Sequence, residues 1–110
     1  MRYAEQLIDH GDFVADKHGA WRDSQPGAEQ GNEFIRRAGW NRYAKWHLAI
    51  DEDHPGNVKA RFKFPFGDFV NVRRSALIAI QMRAHQYGYA EIENAAASLQ
   101  KRLEARVRQR

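Results

Sequence analysis

One stretch, Val58 to Ile80, constrains the fold more than any other part of the chain, because its apolar residues change from a two-residue period to a helical period within a few positions. Apolar and cationic residues alternate over 58–64, which predicts a half-buried strand with a cationic outer face. Pro65 ends this strand, since proline cannot donate a ladder hydrogen bond. Gly67 and Asp68 then predict a turn, and the apolar residues after it recur at helical spacing. A chain with such a switch is expected to pack strands against helices.

A second strand is predicted just before this stretch. Trp46, Leu48 and Ile50 alternate with their neighbours in a pattern that indicates a strand over about 44–50. The segment that follows, DEDHPGN, is rich in turn formers, so the two strands are expected to pair as an antiparallel hairpin, about 44–50 with 58–64. Since a hairpin alone is only marginally stable, helices must cover its apolar face.

Three helices are predicted to surround the hairpin. A proline in the first turn supports an N-terminal helix over about 26–38. Asp68 is a suitable N-cap for a helix over about 69–87, and Gly88 separates it from a last helix over about 89–106. The last two helices are expected to form an αα-hairpin. The predicted fold class is therefore α+β, with a small antiparallel sheet covered by the αα-hairpin and an additional N-terminal helix.

The length and composition predict one domain over residues 1–110, because a chain of this size can bury one core. Residues 1–23 have the weakest pattern, which is compatible with a short helix ended by Gly11 and a short strand over 12–16, or else with a partly ordered N-terminal arm. The chain has no cysteine, and no apolar run approaches the roughly 20 residues of a membrane span. We expect a cytoplasmic protein without a membrane partner.

Charge is distributed unevenly between the two halves of this small basic chain. Residues 1–57 carry seven Lys/Arg against ten Asp/Glu, for a net charge of −3, whereas residues 58–110 carry eleven against four, for +7. Such asymmetry indicates an anionic partner, or else an acidic half that packs against a basic half and cancels most of its field. The sequence leaves both interpretations open.

The leading functional hypothesis follows from the cationic strand face. A basic two-stranded surface can follow the phosphates of DNA or RNA and bind by counterion release without base readout. The residues assigned to this surface are Lys45, His47, Lys59, Arg61, Lys63, Arg73 and Arg74. Lysines on a strand are also ordinary solvent-facing residues that discourage aggregation. The pattern also lacks the interleaved exposed aromatics of a surface that binds single strands.

Three segments of the second half carry a resemblance to other proteins. They are WHLAID, KARFKFPFGDF and RSALIAIQMRAHQYGYAEIENAAASL, which lie between about Gly39 and Leu103. Their Trp-His-Leu strand, aromatic-Pro-x-Gly-Asp turn and Ala-rich helix pair resemble a group of small bacterial and phage-associated proteins of unknown function. The resemblance implies the domain and its fold, and it implies no activity.

The second hypothesis is a protein-interaction or accessory protein of phage or mobile-element origin, which binds a protein partner or forms a homo-oligomer. Exposed aromatic residues would carry this function, since Trp and Tyr concentrate in binding hot spots. The residues assigned to this contact are Trp40, Tyr43 and Phe66. An apolar patch and weak dependence on salt would distinguish this function from polyanion binding.

A third hypothesis is a metal-dependent hydrolase. Its candidate ligands are His47, Asp51, Asp53 and His54, which match no zinc or calcium signature and are common turn residues. No nucleophile motif surrounds any serine. The sequence therefore favours a non-enzymatic protein, with no catalytic residue, metal ligand or cofactor assigned.

Overall fold

The computed structural model describes residues 1–109 and has an α+β fold, which confirms the predicted class. The helices among these residues are α1 (Arg2–Asp9), α2 (Trp21–Ser24), α3 (Ala28–Ala38), α4 (Trp40–Lys45), α5 (Arg74–Tyr87) and α6 (Ala90–Arg108). The strands are β1 (Phe13–Val14), β2 (His47–Ile50), β3 (Phe62–Pro65) and β4 (Val72–Arg73). Strands β2 and β3 pair antiparallel, whereas β1 and β4 pair parallel. No helix in this part of the chain is both long and apolar enough to cross a membrane.

The predicted hairpin forms, but both of its strands are shorter than predicted. The register pairs His47 with Pro65 and Ile50 with Phe62. Residues 44 and 45 belong to α4, which starts directly after α3 because Gly39 takes a φ of 90° between them. Residues 59–61 form a 3₁₀ turn, closed by a hydrogen bond from the Arg61 N–H to the Val58 carbonyl at 3.2 Å. An alternating pattern cannot by itself distinguish such a turn from a strand.

The αα-hairpin also forms, and it supplies much of the core. Gly88 adopts a left-handed conformation with a φ of 74° at the C-terminus of α5, as expected for a glycine in this position. Ala84 on α5 and Ala96 on α6 are fully buried, so the two helices approach closely. Leu99 and Leu103 extend the buried stripe of α6. The last helix continues to Arg108, two residues beyond its predicted end.

Helix α5 begins at Arg74, five residues after the predicted start. Val72 and Arg73 are extended because they pair with Phe13 and Val14 of β1. Asp68 is therefore not an N-cap, and it instead closes the turn that precedes β4. Its Oδ1 accepts hydrogen bonds from the N–H groups of Val70 at 3.0 Å and Asn71 at 2.7 Å.

The turn before β4 requires glycine at position 67. A Cβ at Gly67 would collide with the Asn71 carbonyl oxygen and would lie 2.5 Å from Cζ3 of Trp46. The neighbours Phe64 and Phe69 adopt positive φ angles of 62° and 70°, which are uncommon for non-glycine residues. This turn therefore brings the backbone against Trp46 and fixes where the flanking phenylalanine rings point.

Residues 1–23, for which the sequence allowed a partly ordered arm, form α1 and β1 and contribute to the core. Ala4 and Ile8 on α1 are fully buried, and Phe13 on β1 is 6% exposed. Asp16 follows β1 and accepts two hydrogen bonds from Ser75, from its N–H at 2.7 Å and from its hydroxyl at 2.8 Å. Ser75 is in the first turn of α5, so a residue far away in sequence caps this helix.

Candidate binding groove

The seven residues predicted to share a cationic strand face lie on several different elements. Lys45 ends α4, Lys59 and Arg61 lie in the 3₁₀ turn, and only Lys63 is a cation on the hairpin strands. A 3₁₀ turn directs successive side chains about 120° apart rather than to two alternating faces. The predicted cationic strand face is therefore wrong as a geometric arrangement, because the alternating residues are not all in a strand.

The 3₁₀ cations and His47 are used in contacts with the backbone of the protein itself. Lys59 Nζ donates to the Ala28 carbonyl at 2.7 Å, and Arg61 Nη1 donates to the His54 carbonyl at 3.0 Å. His47 Nδ1 donates to the Tyr43 carbonyl at 2.8 Å, and burial lowers the pKa of this imidazole despite that hydrogen bond. These side chains stabilise the hairpin and its neighbouring helices, so they are not free cations on an open surface.

Arg73 and Arg74, at the start of α5, are paired with carboxylates. Arg73 contacts Asp68 at 2.8 Å and Asp16 at 3.5 Å, and Arg74 contacts Glu104 at 3.4 Å. Hydrogen bonds from backbone N–H groups and from Arg73 outweigh burial and lower the pKa of Asp68. The positive charges of these two arginines are thus largely neutralised by carboxylates of the protein itself.

The acidic first half of the chain pairs directly with the basic second half. Arg102 on α6 contacts Asp9 at 2.6 Å and Glu5 at 3.0 Å, both on α1. The hydrogen bond from Arg102 lowers the pKa of Asp9. Arg73 makes a similar connection to Asp16. The uneven charge of the two halves is therefore partly neutralised within the molecule, which was one of the two interpretations open from sequence.

The aromatic residues predicted to form a protein contact belong mainly to the interior. Phe66 is fully buried and Tyr43 is 8% exposed, so neither can form a contact surface. Trp40 is half-buried, and its ring packs on Tyr43 and Phe62 with centroids 5.9 and 6.0 Å away. The density of aromatics around residue 43 reflects packing of α4 on the hairpin rather than an exposed patch.

A groove of about 800 Å³ lies between the hairpin, α2, α5 and the start of α6. Its lining residues are Trp21, Gln25, Ala49, Ile50, Asp51, Asp53, Lys63, Phe64, Pro65, Ala79, Ile80, Arg83, Tyr87, Tyr89 and Ile92. Such a volume falls in the range of ligand-binding clefts. We call this feature the aromatic groove, because four of its lining residues are Trp, Phe or Tyr.

Two tyrosines at the α5–α6 junction are the most exposed aromatics of the groove. Tyr87 is 55% exposed and Tyr89 is 50% exposed, and their rings stack with centroids 5.9 Å apart. The Phe64 ring meets Tyr89 edge-on at 6.2 Å, and the Arg83 guanidinium lies over the Tyr87 ring at 5.5 Å. Rings and guanidinium therefore form one continuous cluster. Tyrosine on both sides of a glycine between two helices is a sequence signal for this cluster that our sequence interpretation missed.

Two cations, Lys63 and Arg83, and two carboxylates, Asp51 and Asp53, line the groove. Lys63 and Arg83 form no ion pair with any residue among 1–109. Asp51 accepts a hydrogen bond from the Asp53 N–H at 3.0 Å and lies 3.8 Å from His54. The groove thus combines apolar and aromatic side chains with two cations that form no ion pair with residues 1–109.

The residues considered as metal ligands do not converge. Asp51 and His54 are neighbours in the hairpin loop, but His47 is turned towards the backbone of Tyr43. Within residues 1–109, no group of three or more His, Cys, Asp or Glu side chains could hold a metal ion.

Comparison with known proteins gives no relative: no protein-family model, no curated protein and no solved structure matches this chain.

Proposed function

We propose that this protein is a binding module that accepts a peptide segment of a partner protein in the aromatic groove. The observation that carries the proposal is the pair of half-exposed, stacked tyrosines, Tyr87 and Tyr89, at the edge of a groove of about 800 Å³. Tyr, Trp and Arg are the residues that dominate binding energy at protein interfaces. Tyr87, Tyr89 and Arg83, together with half-buried Trp21 in the same groove, have this composition.

A peptide suits the groove better than a nucleic acid for an electrostatic reason. A nucleic acid needs a continuous run of cations along its phosphates, because its affinity comes mostly from counterion release. The groove is lined by Lys63 and Arg83 but also by Asp51 and Asp53. Many of the cations predicted to bind DNA or RNA, such as Arg73, are held by contacts within the protein. Those carboxylates and ion pairs weaken the case for a polyanion.

The test is a selection from displayed short random peptides on the wild-type protein, with a Tyr87→Ser/Tyr89→Ser variant for counter-selection. We expect enriched peptides that bind the wild type at least about tenfold more tightly than the variant, since loss of a hot-spot residue typically costs more than 1 kcal/mol. Trp21 lines the groove, so its fluorescence should change on binding and the change should vanish in Trp21→Phe.

The matched control is Val70→Ser, which removes an apolar side chain that is 69% exposed and outside the groove. This variant should keep wild-type affinity for the selected peptides. Single- and double-stranded oligonucleotides, with heparin for comparison, are titrated in parallel at several salt concentrations. Failure to enrich any groove-dependent peptide, together with tight oligonucleotide binding that falls steeply with salt, would contradict the proposal and favour the nucleic-acid hypothesis.

A further inference from the structure

We infer that the segment bound in the aromatic groove is acidic, with a carboxylate placed beside an apolar or aromatic anchor residue. The inference rests on the proposed function, and it specifies the chemistry of the partner. It follows from the contacts of Arg83 and Lys63 and from the other charges that line the groove.

Arg83 is held in position but has no anionic partner among residues 1–109. Its guanidinium lies 5.5 Å from the centre of the Tyr87 ring, which orients the group without using its N–H donors. An arginine presented in this way can donate two parallel hydrogen bonds to one carboxylate. No carboxylate among residues 1–109 occupies that position. The missing partner of Arg83 is therefore expected from the bound segment.

Of residues 1–109, Arg83 and Lys63 are the two Lys/Arg residues that line the groove, and their contacts differ from those of the arginines that connect other parts of the fold. Arg73, Arg74 and Arg102 each contact at least one carboxylate of the protein itself. Lys63 is exposed on β3 opposite Ala49, and it also lacks an ion pair with the described residues. Among residues 1–109, the two cations of the aromatic groove therefore have no carboxylate beside them, and their N–H donors can bind a carboxylate from outside the protein.

The acids of the same groove limit how much negative charge an occupant can carry. Asp51 is half-buried and engaged with the Asp53 N–H, whereas the Asp53 side chain is exposed and forms no ion pair with residues 1–109. A phosphate chain carries a charge at every nucleotide and would have to pass these carboxylates. A peptide can place one or two carboxylates at Arg83 and Lys63 and remain neutral near Asp53. Charge complementarity therefore favours an acidic peptide.

The anchor residue follows from the rings beside these cations. Phe64 and Tyr89 meet edge to face, and Ile50, which is 52% exposed, lies at the same groove. Ile92 adds an apolar contact from α6. An aromatic or large aliphatic side chain can pack against these residues while an adjacent Asp or Glu reaches the cations.

The test uses the peptide most enriched on the wild type, synthesised with a fluorophore, and its copy in which each Asp or Glu is replaced by Asn or Gln. We expect the neutral copy to bind about tenfold more weakly to the wild type, because charge-assisted hydrogen bonds are the stronger ones. Arg83→Gln and Lys63→Gln should weaken the acidic peptide but not its neutral copy. Lys101→Gln, which changes an exposed lysine on α6 outside the groove, is the matched control and should change neither affinity.

The outcomes separate the two proposals. Selected peptides that depend on Tyr87 and Tyr89 but bind equally well in acidic and neutral forms would overturn the acidic preference and leave the peptide-binding function intact. Equal weakening by Lys101→Gln would also overturn it, since the effect would then come from net charge rather than from the groove. Absence of any peptide that depends on the tyrosines would overturn both.

Discussion

Asp16 connects the N-terminal segment to α5, and its replacement tests how this protein holds its aromatic groove together. The carboxylate accepts hydrogen bonds from the N–H and the hydroxyl of Ser75, and it lies 3.5 Å from Arg73. Ser75 is only 1% exposed, so no water can easily replace this partner. Because α2 begins at Trp21, only five residues after Asp16, this contact also helps to position the part of the groove that Trp21 lines.

The magnitude of an Asp16→Ala substitution can be worked out from these contacts. Loss of a helix N-cap costs about 1 kcal/mol. The buried hydroxyl of Ser75 would lose its hydrogen-bond partner, which costs about a further 1–3 kcal/mol. We therefore expect a loss of about 3 kcal/mol in the free energy of unfolding, which for a domain of this size lowers the Tm by on the order of 10 °C. Asp16→Asn keeps one acceptor oxygen and should cost less.

Urea unfolding followed by circular dichroism measures this loss, and a double-mutant cycle assigns it to the contact. Ser75→Ala removes the hydroxyl, so Asp16→Ala should cost less in that background, with a coupling of about 0.5–3 kcal/mol. Asp23→Ala is the matched control, because Asp23 is an exposed acid on α2 that forms no ion pair with the described residues. A cost for Asp16→Ala no larger than for Asp23→Ala, or strictly additive effects with Ser75→Ala, would refute the reasoning.

Two further predictions concern the hairpin and its turn. Gly67→Ala places a Cβ against the Asn71 carbonyl and against Trp46. Because overpacking costs about 1–3 kcal/mol even where side chains can shift, we expect urea unfolding to show at least that loss in the free energy of unfolding. An unchanged urea midpoint would contradict the close contact. Burial lowers the pKa of His47 below its ordinary value of about 6.5. Because the unfolded chain then binds a proton at this imidazole more readily than the folded chain does, the free energy of unfolding falls as pH drops from about 6.5 through the lower folded-state pKa. Between about pH 7.5 and 5.5, the wild type should therefore lose more stability than His47→Gln, and equal losses would exclude this imidazole as the cause.

The sequence predicts well those elements whose signals are local. The αα-hairpin was predictable because the stripe of α6 and the left-handed Gly88 lie within one continuous stretch. The hairpin was predictable because a turn-rich segment separates two runs of apolar residues. The ends of its strands were not predictable, since the alternating pattern over 58–64 does not distinguish the 3₁₀ turn of residues 59–61 from a strand.

Features that depend on contacts between segments distant in sequence could not be predicted from local sequence patterns. The parallel pairing of Phe13 with Val72 moves the start of α5 past the predicted position, and no periodicity in either segment signals that pairing. The same limit applied to the candidate site. Arg73 and Lys63 each add one positive charge to the formal net charge. In the fold, however, Arg73 contacts Asp16 and Asp68, whereas Lys63 forms no ion pair with residues 1–109.

The cluster at the α5–α6 junction has a composition that the fold itself does not require. Gly88 alone satisfies the left-handed conformation of this turn, so the junction could be formed with polar residues on either side of it. Most aromatic rings of this protein are buried or half-buried, whereas Tyr87 and Tyr89 keep about half of their surface in solvent. Arg83 lies on one of these rings and forms no ion pair with residues 1–109, whereas Arg74 on α5 and Arg102 on α6 each contact a carboxylate. Exposed rings and an unpaired cation contribute little to folding, and together they have the chemistry of a surface that is completed by an acidic, apolar partner.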